Sequence, residues 1–188
     1  MLPSRNSLID ISQYEKRRKI GEGCTNNVYL VKDKSTGIFY AAKIRKDKID
    51  EKVKDSQEIS ISDVEKLMYS INHPSILKIF GFYQTNFDNK PFPTMIMELS
   101  ANPSLKDVIM PESACFIPDD WNLEKKCILI YGIASGMAHL HAQKIINGNL
   151  KPKNIYLDEY LHPKIFNNID MMEDFNINDL AYMAPEVM

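Results

Sequence analysis

From Tyr14 onward, apolar and polar positions alternate in short runs. Arg18–Gly21, Val28–Lys32 and Phe39–Ile44 read as strands, with Gly21, Gly23 and Ser35-Thr36-Gly37 marking the turns. The pattern predicts an antiparallel meander. Before it, residues 1–13 are polar and without period, a flexible lead-in. After it, Lys46–Glu58 is densely charged and suits an exposed loop running into a helix. Ser62–Ile71 places Val64, Leu67, Met68 and Ile71 at helical spacing on one face. His73-Pro74 stops that helix, because proline disfavours the helical conformation in the residue before it. Strands resume at Ile76–Tyr83 and Thr94–Glu98, separated by the Asn/Asp/Pro-rich loop Asn86–Pro93.

The pattern shifts at Ser100. Ser100–Pro103 is polar and turn-rich, which suits a hinge, and Ser104–Met110 reads as a short helix with Ser104 as its N-cap. Pro111–Asp120 is a loop. Trp121–Lys144 is the longest helical segment, with Leu123, Cys127, Ile130, Ala134 and Met137 forming one apolar stripe. Asn147-Gly148 is a strong tight-turn signal. Two short apolar runs follow, Ile155–Leu157 and Pro163–Phe166, and then the acidic, irregular Met171–Asp179. Strands followed by helices predict an α+β fold.

With 188 residues, 44% of them hydrophobic, the chain can bury the core of one ordinary domain. A net charge of −2 makes no case for a nucleic-acid or membrane surface. The longest apolar run, Cys127–Met137, is interrupted by Gly132, Ser135 and Gly136 and is too short to span a bilayer. Ser4, Arg5, Asn6 and Asp10 break any secretory signal near the N-terminus. Cys24, Cys115 and Cys127 are odd in number and lack metal-ligand spacing, so they read as reduced thiols and point to the cytoplasm. The basic run Lys16–Lys19 is read as a solvated strand edge.

Several segments carry candidate chemistry. Ile20-Gly21-Glu22-Gly23-Cys24-Thr25-Asn26-Asn27-Val28 resembles the glycine-rich loop of protein kinases, G-x-G-x-x-G-x-V, with Asn26 in the third glycine position. Glycines there let the backbone lie close over nucleotide phosphates. A plain hairpin turn would explain Gly21 and Gly23 equally well, but Ala41-Ala42-Lys43, similar to the family's V-A-I-K, follows one strand-pair later. The resemblance implies that Lys43 holds the α- and β-phosphates of ATP, beside Gly21, Gly23, Val28 and Ala41. Met97-Glu98-Leu99-Ser100 aligns with the gatekeeper and hinge, which brings Glu98 and Ser100 to the adenine. Asn102-Pro103-Ser104-Leu105 and Gly132–Met137 are similar to segments of the tyrosine-kinase-like group.

The stretch His139–Asp170 is similar to the family's catalytic and metal-binding segments. Leu150-Lys151-Pro152-Lys153-Asn154 is intact, but His-Arg-Asp reads Asn147-Gly148-Asn149 and Asp-Phe-Gly reads Asn167-Asn168-Ile169. The resemblance puts Asn149 in the catalytic-base position, where an amide has no titratable site. Lys151 would contact the transferring phosphate. Asn154 and Asn167 occupy the metal positions, and the neutral Asn167 makes Mg²⁺ binding doubtful. Asp170 lies three residues late, roughly 10 Å along an extended chain, and is rejected as a substitute. The family's helix glutamate falls on Val64, with Glu65 rotated away by about 100°. Asn147-Gly148 also removes the arginine that would bind an activation-loop phosphate, and residues 167–183 contain no Ser or Thr.

Taken together, the resemblance implies a bilobal protein kinase-like fold. Its N-lobe, 14–99, is an antiparallel sheet plus one helix. A hinge lies at about 98–103, and a mostly helical C-lobe, 104–188, stops after Ala184-Pro185-Glu186. The family's domain continues past that motif, so the chain is expected to be truncated and part of the stripe on Trp121–Lys144 uncovered. Three functions stay open: a pseudokinase that binds ATP weakly or binds protein partners through exposed C-lobe helices; an atypical active kinase; or a non-functional fragment or interaction module. No nucleic-acid or membrane partner is expected.

Overall fold

The computed structural model describes residues 10–23, 26–46, 71–110, 121–167 and 182. Of the helix predicted over Ser62–Ile71 all but Ile71 lies outside them, as do Asn168–Asp170 and Ala184–Glu186. The chain divides into two compact units, residues 1–69, 78–99 and 172–174 in one and residues 70–77, 100–171 and 175–188 in the other.

Unit 1 is built on a five-stranded sheet of order β1-β2-β3-β5-β4. Its strands are β1 (Tyr14–Glu22), β2 (Asn26–Asp33), β3 (Phe39–Arg45), β4 (Ile79–Tyr83) and β5 (Thr94–Met97), and each hydrogen-bonded neighbour runs antiparallel. A 3₁₀ turn at Ile11–Gln13 precedes β1, with Asp10 accepting from the Ser12 amide and Ile11 buried. The β2–β3 turn is set by Asp33, whose carboxylate accepts from the amides of Ser35 and Thr36, and by Gly37 at φ +76°. Val31, Ala42 and Ile96 form a core cluster on one face of the sheet, flanked by Tyr14, Tyr29, Tyr40 and Phe87. Tyr40 meets Tyr14 and Phe80 edge-on, at 5.8 and 5.0 Å between ring centroids.

Unit 2 holds helices α1 (Leu105–Ile109) and α2 (Leu123–Ala142) and a small antiparallel sheet, β6 (Asn102–Ser104), β7 (Ile155–Leu157) and β8 (Pro163–Ile165). β6 falls where the sequence suggested only a hinge. It is held by the Ser100 hydroxyl donating to Leu157 O at 2.7 Å and the Asn102 amide donating to Asp158 O at 2.6 Å. α1 begins as the sequence suggested, with the Ser104 amide and hydroxyl both donating to Asp107. In α2 the Asn122 side chain accepts from the Lys125 amide. The helix closes with Lys144 at φ +60°, Lys144 N–H bonded to His141 O and Ile145 N–H to Leu140 O. That closure is a Schellman motif with lysine where glycine is usual.

The segment before β4 also differs from expectation. Ile76 and Leu77, predicted as the start of a strand in the first sheet, instead lie in a segment, Ser75–Leu77, that exchanges backbone hydrogen bonds with Ile165 at 2.8 and 2.9 Å. It therefore extends the unit 2 sheet beside β8. Against it lies α2, at the glycines: a Cβ on Gly132 would sit 2.5 Å from Pro163 Cγ, and one on Gly136 would sit 2.9 Å from Ile165 Cδ1. A core of Leu105, Val108, Leu129, Ile155, Leu157 and Leu161 completes the unit.

Candidate functional site

In unit 1 the candidate residues collect around the β1–β2 turn. Gly23 N–H donates to Asn26 O at 2.8 Å and closes the turn. Register then sets Gly21 opposite Val28, Val28 opposite Lys43, and Ala41 opposite Met97. Residues directly opposite in an antiparallel ladder share a face. Val28, Lys43, Ala41 and Met97 are thus displayed together, on the face opposite the Val31–Ala42–Ile96 cluster. Lys43 is buried. Glu98 lies just beyond β5. Its amide donates to Lys78 O and its carboxylate accepts from the Lys78 amide, so it is tied to the start of β4.

Glu22, at the end of β1, accepts from the Lys19 ammonium and, at 2.7 Å, from that of Lys46. These hydrogen bonds, Lys19 first, hold its carboxyl well down, at about 2. The turn therefore carries an ionised carboxylate already shared between two lysines.

The remaining candidates lie in unit 2, where four asparagines knit two loops together. The Asn147 side chain donates to Phe166 O at 3.3 Å and to Asn167 Oδ1 at 3.0 Å, while its own oxygen accepts from the Asn149 amide at 3.1 Å. Gly148 at φ +66° supplies the turn that allows this. The Asn154 side chain donates to Asn149 O at 2.9 Å, and Asn154 O accepts from Phe166 N–H at 2.8 Å. Lys151 and Asn154 bracket a 3₁₀ turn with Pro152 at its first position, and both are buried. Asn149, Lys151, Asn154 and Asn167 are thereby brought together. Ser100 belongs to unit 2 as well but serves the sheet, through Leu157.

This donor set is a poor match for a magnesium ion. Mg²⁺ takes carboxylate and phosphate oxygens in a strict octahedron. Here the Asn167 oxygen already accepts from Asn147, and neither Asn167 nor Asn154 carries charge. Among the described residues, no group of three or more His, Cys, Asp or Glu side chains is placed to hold a metal ion. No helix among them is long and apolar enough to cross a membrane.

Comparison with known proteins bears on the whole arrangement. The sequence profile described as "Protein kinase domain" matches residues 14–188. The chain belongs to the protein kinase family.

This kinase domain is 26% identical over 186 residues to the serine/threonine-protein kinase RUNKEL of Arabidopsis thaliana, covering 94% of the chain and 12% of that protein. It is 29% identical over 161 residues to human receptor-interacting serine/threonine-protein kinase 3, covering 84% and 28%. To the inhibitor of nuclear factor kappa-B kinase subunit alpha of Xenopus laevis it is 29% identical over 188 residues, covering 93% and 24%. It thus spans less than a third of the length of each of these relatives.

Sequence reasoning read one residue of the kinase domain only in part. Asn147 was legible as a turn former and as a replacement in the His-Arg position, but not as the centre of a buried network, because its hydrogen bonds join positions some twenty residues apart.

Proposed function

We propose that this kinase domain is a pseudokinase of the tyrosine-kinase-like group, binding ATP without need of Mg²⁺ and acting in the cytoplasm through nucleotide or partner binding. The observation that carries the reading is the amide chemistry of Asn149 and Asn167. Asn149 cannot take a proton from a substrate hydroxyl, and loss of such a base costs roughly 10²–10⁴-fold in rate. Asn167, committed to Asn147, offers no charge to a metal. What supports retained nucleotide binding is the buried Lys43 on the same face as Val28 and Ala41, beside the turn closed at Gly23. The group assignment rests on Asn102–Leu105 and Gly132–Met137.

Thermal denaturation with ATP, in Mg²⁺ and in EDTA, tests this. At tenfold the dissociation constant, binding stabilises by about 1.4 kcal/mol, roughly 3–6 °C for a domain of this size. The expected outcome is a shift in both buffers that Lys43→Met removes, with no phosphate transferred to protein. A melting curve indifferent to ATP in both buffers would sink nucleotide binding. ATP-dependent transfer that vanishes in Lys43→Met would instead establish an atypical active kinase, a reading favoured by the retention of Lys151 and Asn154.

A partner-binding role has separate support on α2. Leu123, Ile130 and Tyr131 are 76%, 67% and 75% exposed, a larger apolar display than a solvated helix needs.

A further inference from the structure

His73 joins the segment before β4 to helix α2, and it does so only as a neutral ring. The Ser75 amide donates to its Nδ1 at 3.1 Å, so that nitrogen carries no proton. The proton sits on Nε2, 3.1 Å from Ser135 Oγ on α2. Around this contact the segment is closely seated. Ser75 is buried in the notch of α2, where a Cβ on Gly132 would sit 3.1 Å from its Oγ and one on Gly136 3.3 Å from its Cβ. Ser75 O accepts from Ile165 N–H, and Leu77 N–H donates to Ile165 O. The imidazole is thus the titratable part of a junction between the segment, α2 and β8.

A proton on Nδ1 breaks that junction. Both nitrogens of a charged imidazole are donors, so the Ser75 amide would face a second donor and lose its acceptor. The groups around the ring offer no compensation. α2 turns Ser135 and His139 toward it, the two imidazole centroids lying 5.2 Å apart, so a charge on one ring opposes a charge on the other. His141, two residues on, is turned away by roughly 200° around the helix. β8 meets α2 through the uncharged Pro163 and Ile165, and Lys164 between them leaves the opposite face of the strand. Among the described residues, no carboxylate bears on His73.

We propose that His73 is a proton-operated latch, whose charging releases residues 73–77 from α2 and β8 while the rest of unit 2 stays folded. The release reaches the asparagine network, because Ile165 directly precedes Phe166 and Asn167, which both accept from Asn147. It is independent of nucleotide binding. Burial, then His139, hold the latched ring below its ordinary pKa of 6.5, whereas a released ring regains that value. Opening is therefore rarest above 6.5, grows as pH falls through it, and levels off below the latched pKa.

Amide hydrogen exchange of the whole chain, followed by NMR from pH 7.5 to 5.5 and corrected for intrinsic rates, tests this in wild type and His73→Asn. In wild type the amides of Ser75, Leu77 and Ile165 are expected to open about threefold more often, or beyond, at the lower pH, while those of Leu129 and Leu140 in α2 keep their protection. Asparagine can accept from an amide two residues on and takes no charge, so in His73→Asn the pH dependence disappears. The imidazole nitrogen shifts of wild type, which need no variant, are expected to show Nδ1 unprotonated at pH 7.5. A protonated Nδ1 at that pH would overturn the latch, as would opening in wild type that ignores pH. So would a pH dependence that survives in His73→Asn. One shared equally by Leu129 and Leu140 would also overturn it, since that is the mark of global unfolding.

Discussion

The Asn147 side chain accepts from Asn149 and donates to Phe166 and Asn167, so one buried amide ties the loop before Lys151 to the residues after β8. Replacing it with alanine leaves two acceptors and a donor unanswered, and unfolding in urea should show a loss of about 1–3 kcal/mol. His73 is a second residue whose surroundings dictate a measurable behaviour. The Ser75 amide donates to Nδ1, so the ring proton sits on Nε2 and points to Ser135 Oγ at 3.1 Å. Burial, and then the neighbouring His139, hold the His73 pKa below its ordinary value of 6.5. The folded state therefore binds fewer protons than the unfolded one in this range. Stability should be fully present above 6.5 and decline as pH falls through it toward the folded value. Urea midpoints between pH 7.5 and 5.5 should show the decline, and His73→Gln should flatten it. The lowered carboxyls of Asp10, Glu22 and Asp33 act only at more acid pH.

Helix α2 illustrates both what local pattern can reveal and where it stops. Its extent was legible from apolar spacing, yet the stripe through Leu123, Cys127, Ile130 and Ala134 is the exposed side. The buried side carries Leu129, Gly132, Gly136 and Leu140. Hydrophobicity ranks glycine low, but close approach to Pro163 needs its missing side chain. Gly132→Ala should therefore destabilise by about 1–3 kcal/mol in spite of alanine's better helix propensity. Gly136→Ala should cost less, because Ile165 Cδ1 is the movable end of a side chain whereas Pro163 is a rigid ring. Comparing the two denaturation curves tests the ranking. The strands of unit 1 were legible because turn residues bracket alternating runs. β6 and the Ser75–Leu77 pairing were not, since each depends on partners far along the chain. At the candidate site, the resemblance to the family's motifs exposed the missing carboxylates, but the hydrogen bond that occupies Asn167 depends on tertiary contacts.

For the molecule as a whole, the display of Leu123, Ile130 and Tyr131 should govern behaviour in solution more than stability. Ile130→Glu and Tyr131→Glu should change unfolding free energy by no more than about 0.5 kcal/mol. They should also lower binding of a hydrophobic dye and any concentration-dependent association seen by light scattering. The exposed thiol of Cys127 lies on the same helix, so that scattering is best measured in reductant.

The Asn147-Gly148 turn also sets a chemical clock. Asparagine followed by glycine is the pairing most open to attack by the next backbone nitrogen on the side-chain carbonyl, which expels ammonia and leaves a succinimide that water opens to aspartate or isoaspartate. In the folded chain both ends of the Asn147 amide are engaged and the residue is buried, so the ring closure is opposed for as long as the loop stays closed. Each opening exposes it, and the carboxylate formed can no longer donate to Phe166 or Asn167. Ageing of this protein should therefore be irreversible and self-reinforcing at one residue. Peptide mass spectrometry should find the conversion at Asn147 accelerated in urea and slowed by any ligand that stabilises the fold.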